Sequence, residues 1–328
     1  PQRTNYVTNS EDLTGGTKSV VTATANTTET TDPSGGNNAT KFQVTASGAD
    51  AYSRTQYTAA LTNFSCFIYV KAAAGQKFQI FAARDSYAQI VNGDLITCTG
   101  DWQKVEFSGT FSTTSSTVVF GIEFGHSATD SVSGQVYYCW GSQLEQGIYS
   151  TSYIPTSGST VTRSADVCNG SGTSAEFNDS EGVLFAEIQA LVDDASLRLI
   201  QINDGSTVNN MVTLGYDSVV DRILVQVRTG GGTTDVFNIN ILDITLNNKL
   251  ALKYEQNTAT LYINGYKELS GSIAGTPVGL SELDFDYNGG FPFYGKTKQL
   301  MTFKTALTDS ELEALTSWDS FNAMATGQ

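Results

Sequence analysis

The chain has 328 residues, of which 40% are hydrophobic and only 16% charged, and it carries a formal net charge of −15. That length makes two domains the natural expectation, each able to bury a core of its own. So acidic a chain lacks the basic face needed to displace counterions from a nucleic acid. No stretch approaches the roughly 18 apolar residues of a membrane span, and no basic–apolar signal segment opens the chain, so neither nucleic acid nor membrane insertion is expected. With Pro1 at its start, where an initiator methionine is usually removed, the chain is expected to be a complete, leaderless product.

The charge is uneven. Residues 1–165 hold 9 Lys/Arg against 12 Asp/Glu, and residues 166–328 hold 9 against 21. Acidic, uncharged or cation-bridged partners stay open. Cys66, Cys98, Cys139 and Cys168 show no CxxC spacing and His126 is the lone histidine, which argues against a structural zinc site and against a disulfide scaffold. Cys66 and Cys139 fall within apolar strand patterns and read as buried free thiols.

In chain order, the first half alternates apolar and polar residues in short runs: 40–45, 64–71, 77–82, 103–107, 117–124 and 136–144. Gly75, Asn92-Gly93-Asp94, Gly100-Asp101 and 130–134 supply the turns between them. The run 64–71 is apolar on both parities, as suits a strand covered on both faces. Residues 145–175 are polar and rich in Ser, Thr and Gly, and the linker is placed at 161–175; Tyr149, Tyr153 and Ile154 suggest that part of the stretch packs back. Strand rhythm resumes at 183–192, 197–203, 211–215, 222–228, 236–241, 248–255 and 258–263, then at 282–286 and 294–303. Gln256-Asn257 and Asn264-Gly265 mark tight turns, and Gly230-Gly231-Gly232, with no Lys or helix after it, is a hairpin and not a phosphate loop. One helix closes the chain. Thr308 and Glu311 form a capping box, and Leu312, Leu315, Trp318 and Phe321 form its apolar stripe, expected on the sandwich edge. The fold class is therefore all-β: two antiparallel β-sandwich (jelly-roll) domains in tandem, 1–160 and 176–328, with one short C-terminal helix.

The residues 250–265 (LALKYEQNTATLYING) and 303–315 (FKTALTDSELEAL) resemble the laminin-G/concanavalin A-like lectin fold over 176–320. The runs 9–13, 66–75, 100–107, 140–155 (WGSQLEQGIYSTSYIP) and 161–165 resemble a carbohydrate-binding-type jelly roll of bacteriophage and prophage virion proteins. The resemblance implies a non-enzymatic virion surface protein, a tail adhesin or head-decoration protein, partnered by other virion proteins and by cell-surface glycans, and it allows a homo-oligomer. A purely structural capsid-decoration protein and a polysaccharide depolymerase are the alternatives. Related modules place an acidic calcium ligand in the final strand, whereas 136–141 has Cys139 and no acid.

Sugar binding needs aromatic faces beside bidentate or amide groups. Tyr52 with Arg54, and Arg84 and Asp85 with Tyr87, offer these on loops or strand ends of the first domain; Tyr216, Asp217, Asn288, Phe291 and Tyr294 offer them in the second. Asp284 and Asp286, two apart on one strand face, could chelate Ca2+ with Asn288. Trp102 and Trp140 read as core. A catalytic triad could use only His126, whose neighbours Ser127 and Asp130 share its loop, and no glycanase or lyase strand signature is present.

Overall fold

The computed structural model describes residues 2–113, 115–125, 130–164, 167–205, 209–231, 233–287 and 289–318. Every pairing between its strands is antiparallel, and the chain divides into two compact units, Pro1–Asp166 and Val167–Gln328.

The first unit holds β1 (Arg3–Asn5), β2 (Thr17–Ser19), β3 (Val21–Thr24), β4 (Thr40–Val44), β5 (Tyr52–Thr58), β6 (Asn63–Ala72) and β7 (Lys77–Arg84). There follow β8 (Gln89–Asn92), β9 (Ile96–Thr97), β10 (Gln103–Thr110), β11 (Thr117–Phe124), β12 (Val136–Gln146) and β13 (Val161–Arg163). They form a five-stranded sheet ordered β10-β6-β12-β4-β3, a six-stranded sheet that includes β2-β5-β11-β7-β8, and a small β1-β13 pair. Within the stretch read as linker, Val161–Arg163 is thus a strand, and Ser171 bridges Leu283 of the second unit.

Alternation along each strand sends every second side chain inward. Phe64, Cys66, Ile68 and Val70 of β6 meet Phe78, Ile80 and Ala82 of β7 and Val118, Phe120 and Ile122 of β11 in one core. The Tyr137 hydroxyl donates to the Lys77 carbonyl at 2.9 Å and so ties one sheet to the other. Cys66, Cys98 and Cys139 are buried free thiols, and burial pushes the Cys98 thiol up to about 11.

The outward side chains of β6 and β12 are covered too. Residues 148–157 fold back over them, with the Tyr153 ring 4.8 Å from that of Trp140. The Glu145 carboxylate accepts from the Thr151 amide and hydroxyl (2.7 and 2.5 Å), and Gln143 Oε1 accepts from the Ile154 amide at 2.6 Å. Asn5 Nδ2 donates to the carbonyls of Ser142 and Ile154. Residues 148–157 are therefore a clasp that closes one face of the five-stranded sheet.

Arg84 corrects an expectation. It shares parity with Phe78, Ile80 and Ala82, so it points into the core and is only 2% exposed. Its guanidinium donates to the carbonyls of Leu61 and Thr113 and lies 4.4 Å from the Phe111 ring, which leaves it no surface for a ligand.

The second unit holds β14 (Glu181–Ala190), β15 (Arg198–Asn203), β16 (Met211–Tyr216), β17 (Arg222–Thr229) and β18 (Thr233–Asn240). Its later elements are β19 (Asn248–Glu255), β20 (Thr258–Ile263), β21 (Tyr266–Ser272), β22 (Glu282–Asp284), β23 (Gly295–Phe303) and α1 (Asp309–Thr316). The sheets run β21-β20-β19-β14-β23 and β18-β17-β16-β15-β22. Leu184, Ile188, Leu250 and Leu261 of the first pack on Ile200, Val212, Leu214 and Val225 of the second. Asn264 and Gly265, both at positive φ (49° and 92°), make the two-residue turn between β20 and β21.

Tyr216 and Asp217 are likewise structural. Tyr216 is fully buried and its hydroxyl donates to the Ile188 carbonyl at 3.0 Å across the sandwich. Asp217, 4% exposed, accepts from the Ser218 amide at 2.6 Å and from Arg222 Nε at 2.5 Å, closing the turn from β16 to β17.

The closing helix has the expected capping box: the Glu311 amide donates to Thr308 Oγ1 and the Thr308 amide to Glu311 Oε2. It lies over a sheet face and not at the edge, because the outward Val183, Phe185, Ala251 and Tyr262 of β14, β19 and β20 are apolar or aromatic and need cover; Leu312 and Leu315 supply it. Trp318 Nε1 donates to Asn264 Oδ1 at 3.0 Å, while Phe321 lies outside the described residues.

Two outcomes follow. Arg84→Ala orphans two carbonyls and opens a void, so chemical denaturation should show a loss of about 2–4 kcal/mol. The Thr308 side chain and amide hold the Glu311 carboxyl below its ordinary value of 4.5. Its contribution to the helix is complete above that value and is lost as pH falls through the lower folded one. Protection factors of the amides over 309–316, corrected for intrinsic exchange, should fall in that acid range in the wild type and be low at all pH values in Glu311→Ala.

Candidate functional site

With 148–157 closing the five-stranded sheet of the first unit, its six-stranded sheet carries the more open outer face. On β5, Ser53 and Tyr57 point inward, so Tyr52, Arg54 and Gln56 point out; Tyr52 opens the strand, at the strand end expected, while Arg54 lies within it. Register aligns Arg54 with Gly121 of β11, and Gly121 with Phe81 of β7; in the next row Tyr52 lies opposite Glu123. A Cβ at Gly121 would sit 2.5 Å from the Phe81 ring and 2.9 Å from Arg54 Cβ. Glycine is thus required for these two side chains to close over the strand.

Phe81, Ala83 and Val119 form a small apolar cluster on this outer face, and Tyr87 packs against it. Tyr87 arrives on the tight turn Asp85–Tyr87 between β7 and β8, where Ser86 and Tyr87 are both left-handed (φ 54° and 71°). Two adjacent non-glycine residues in that region cost on the order of 1 kcal/mol each. The side chain of Asp85 lies outside the described part of the chain.

The result is an arginine set among rings. The Arg54 guanidinium carbon is 4.5 Å from the Tyr52 ring centre and 4.3 Å from that of Tyr87. These contacts use its π surface and none of its N–H groups. Among the described residues each of the other six arginines donates a hydrogen bond, whereas Arg54 donates none and has no ion-pair partner. Beside it is a cleft of about 380 Å³ lined by Asp50, Tyr52, Arg54, Phe81 and Glu123. Flat rings, an unspent donor fork and carboxylate acceptors are the groups that hold a polyhydroxylated ring. Phe81, Gly121, Glu123 and Asp50 were absent from the sequence-derived set; the isolated glycine inside an apolar strand was the signal for close approach.

The candidates of the second unit do not assemble in this way. Phe291 is 52% exposed at φ 51°, with its ring 6.4 Å from that of Tyr287. Tyr294 is half-buried and lies 4.8 Å from the Arg198 guanidinium, which is itself spent on Asp194 at 2.5 Å. Asn288 lies outside the described residues, as do His126 and Ser127. Asp284 and Asp286 are buried, and both carboxylates accept hydrogen bonds within the fold. Asp284 accepts from the Gly170 amide (2.6 Å) and Asn203 Nδ2 (2.5 Å), and Asp286 accepts from Asn169 Nδ2 (2.8 Å) and the Gly289 amide (2.9 Å). No group of three or more His, Cys, Asp or Glu suited to a metal occurs among the described residues.

No protein family matches this sequence, and no curated protein matches it either. Solved structures overlap about half of the chain. The CBM40 module of the Ruminococcus gnavus IT-sialidase bound to α2,3-sialyllactose covers 47% of this chain and 96% of its own, at 16% identity and a TM-score of 0.36. Domain 4 of AbnA, a GH43 extracellular arabinanase from Geobacillus stearothermophilus in complex with arabinotriose, covers 52% and 83%, at 15% identity and 0.36. The heptameric SAP-like pentraxin from Limulus polyphemus covers 47% and 76%, at 11% identity and 0.36.

Proposed function

We propose that this chain is a non-enzymatic, glycan-binding protein of a bacteriophage virion surface, and that it holds sugar in the cleft beside the Tyr52–Arg54–Tyr87 cluster. The observation that carries the binding role is the arginine fixed between two tyrosine rings with its N–H groups unspent, above a cleft that also offers Asp50 and Glu123. Its support is architectural. The sheet keeps Gly121 side-chain-free, and the turn before β8 bears backbone strain, to seat groups that contribute little to the core. The virion setting is supported by the resemblance carried by residues 140–155 and 161–165.

A second reading, packing against other virion proteins, is favoured by one feature of the second unit. Val219, Val220, Leu242 and Leu246 are exposed on two neighbouring loops that Asp221 ties together, its carbonyl accepting from the Ile241 amide and its carboxylate from the Ile244 amide.

Binding of the whole chain to host surface polysaccharides and a glycan array tests the first reading. Tyr52→Ala and Tyr87→Ala should each weaken binding about tenfold, since a lost ring contact is worth on the order of 1–2 kcal/mol. Gly121→Ala, which drives Phe81 and Arg54 apart, should weaken it at least as much, while Phe291→Ala leaves it intact. Binding indifferent to all three cleft changes would sink the site, and failure on every glycan would leave the packing reading.

A further inference from the structure

Resting on that glycan reading, we propose that the Arg54 cleft selects a sugar bearing a carboxylate, a uronic or sialic acid, set in an otherwise neutral chain. The cation is permanently charged and planar, and it carries five N–H donors in a fixed fork. Tyr52, Tyr87 and Phe81 take it partly out of water, yet no acceptor among the described residues receives a hydrogen bond from it. Elsewhere among the described residues the same group donates to an acceptor, even where its Nε is left unpaired: Arg84 to two carbonyls, Arg198 to Asp194, and Arg222 to Asp217. A guanidinium shielded on its faces by rings gains more from an anion than one fully in water, and the two-oxygen edge of a carboxylate matches its fork with two parallel bonds. A hydroxyl can satisfy one such donor but brings no opposing charge.

Charge sets the second half of the inference. Asp50 and Glu123 line the same cleft, neither within ion-pair distance of Arg54, and the chain as a whole carries −15. A densely charged polyanion meets repulsion from both sources. One acidic residue in a neutral glycan places its carboxylate on Arg54 at contact distance, while its ring and neighbouring hydroxyls face Tyr52, Tyr87 and the cleft carboxylates. The acid group thus supplies selectivity, and the rings supply adhesion to either form of the sugar.

The test uses the full chain and four defined oligosaccharides in calorimetric titrations: one ending in glucuronic acid, one ending in sialic acid, and the methyl ester of each. The ester keeps the ring and its hydroxyls and removes only the charge. At least one acid should bind about tenfold more tightly than its own ester, as expected for a charge-assisted bidentate pair, and the acid that does so tells uronic from sialic. Arg54→Gln should bring that ratio to one while ester binding persists, which also certifies that the variant is folded; Arg54→Lys should retain only part of it. Tyr87→Ala should weaken acid and ester alike. Acids and esters binding equally, with Tyr87 still required, would overturn carboxylate selection and leave the glycan reading standing. Binding confined to neutral glycans would do the same. No binding to these sugars or to any array glycan would remove both.

Discussion

A β-strand has two faces, and a sandwich can use only one of them for its core. The whole of this structure turns on what becomes of the other. Each unit has two main sheets and so two outer faces. In the first, residues 148–157 close one of these over Phe67, Trp140 and Gln143; in the second, α1 closes one over Phe185, Ala251 and Tyr262. Apolar side chains of both parities demand such covers, because an exposed apolar sheet face invites association with other chains. The face left open in the first unit is the one that carries polar and aromatic side chains around a glycine.

Polar groups in this protein divide by what receives their hydrogen bonds. Arg84, Arg198, Asp217, Asp284, Asp286, Gln143 and Glu145 are all largely buried, and each is engaged by backbone or by a neighbouring side chain. They fix turns and hold peripheral segments onto sheets at sites where an unpaired group would be expensive. Arg54 differs in kind, not in residue type. Its position is set by rings and by the absence of a side chain at Gly121, and its donors remain unspent. A group positioned firmly while its chemistry is unsatisfied is the physical form of a preorganised binding element.

Much of the architecture was legible in the chain. Alternation at 64–71, 117–124 and 248–255, the Asn264-Gly265 turn and the Thr308–Glu311 capping box each depend on neighbours a few residues away, and each appears at the expected place. Strands β1, β2, β3, β5, β8, β9, β13 and β21 were missed. Tyr52–Thr58 is polar and lacks the branched apolar residues that mark a strand, and it is held in the sheet by β11 and β2.

Local residue types therefore determined the all-β class, most of the strands, the helix and the aromatic and basic side chains worth weighing as ligand groups. Only the tertiary structure decided which of them do structural service. Parity within β7 turns Arg84 into the core and leaves Phe81 out, and pairing across the sandwich spends the Tyr216 hydroxyl on Ile188. Register between β5, β11 and β7 brings Arg54, Gly121 and Phe81 into one row from positions up to 67 residues apart, a juxtaposition that hydrogen bonding between strands creates and that no local pattern encodes.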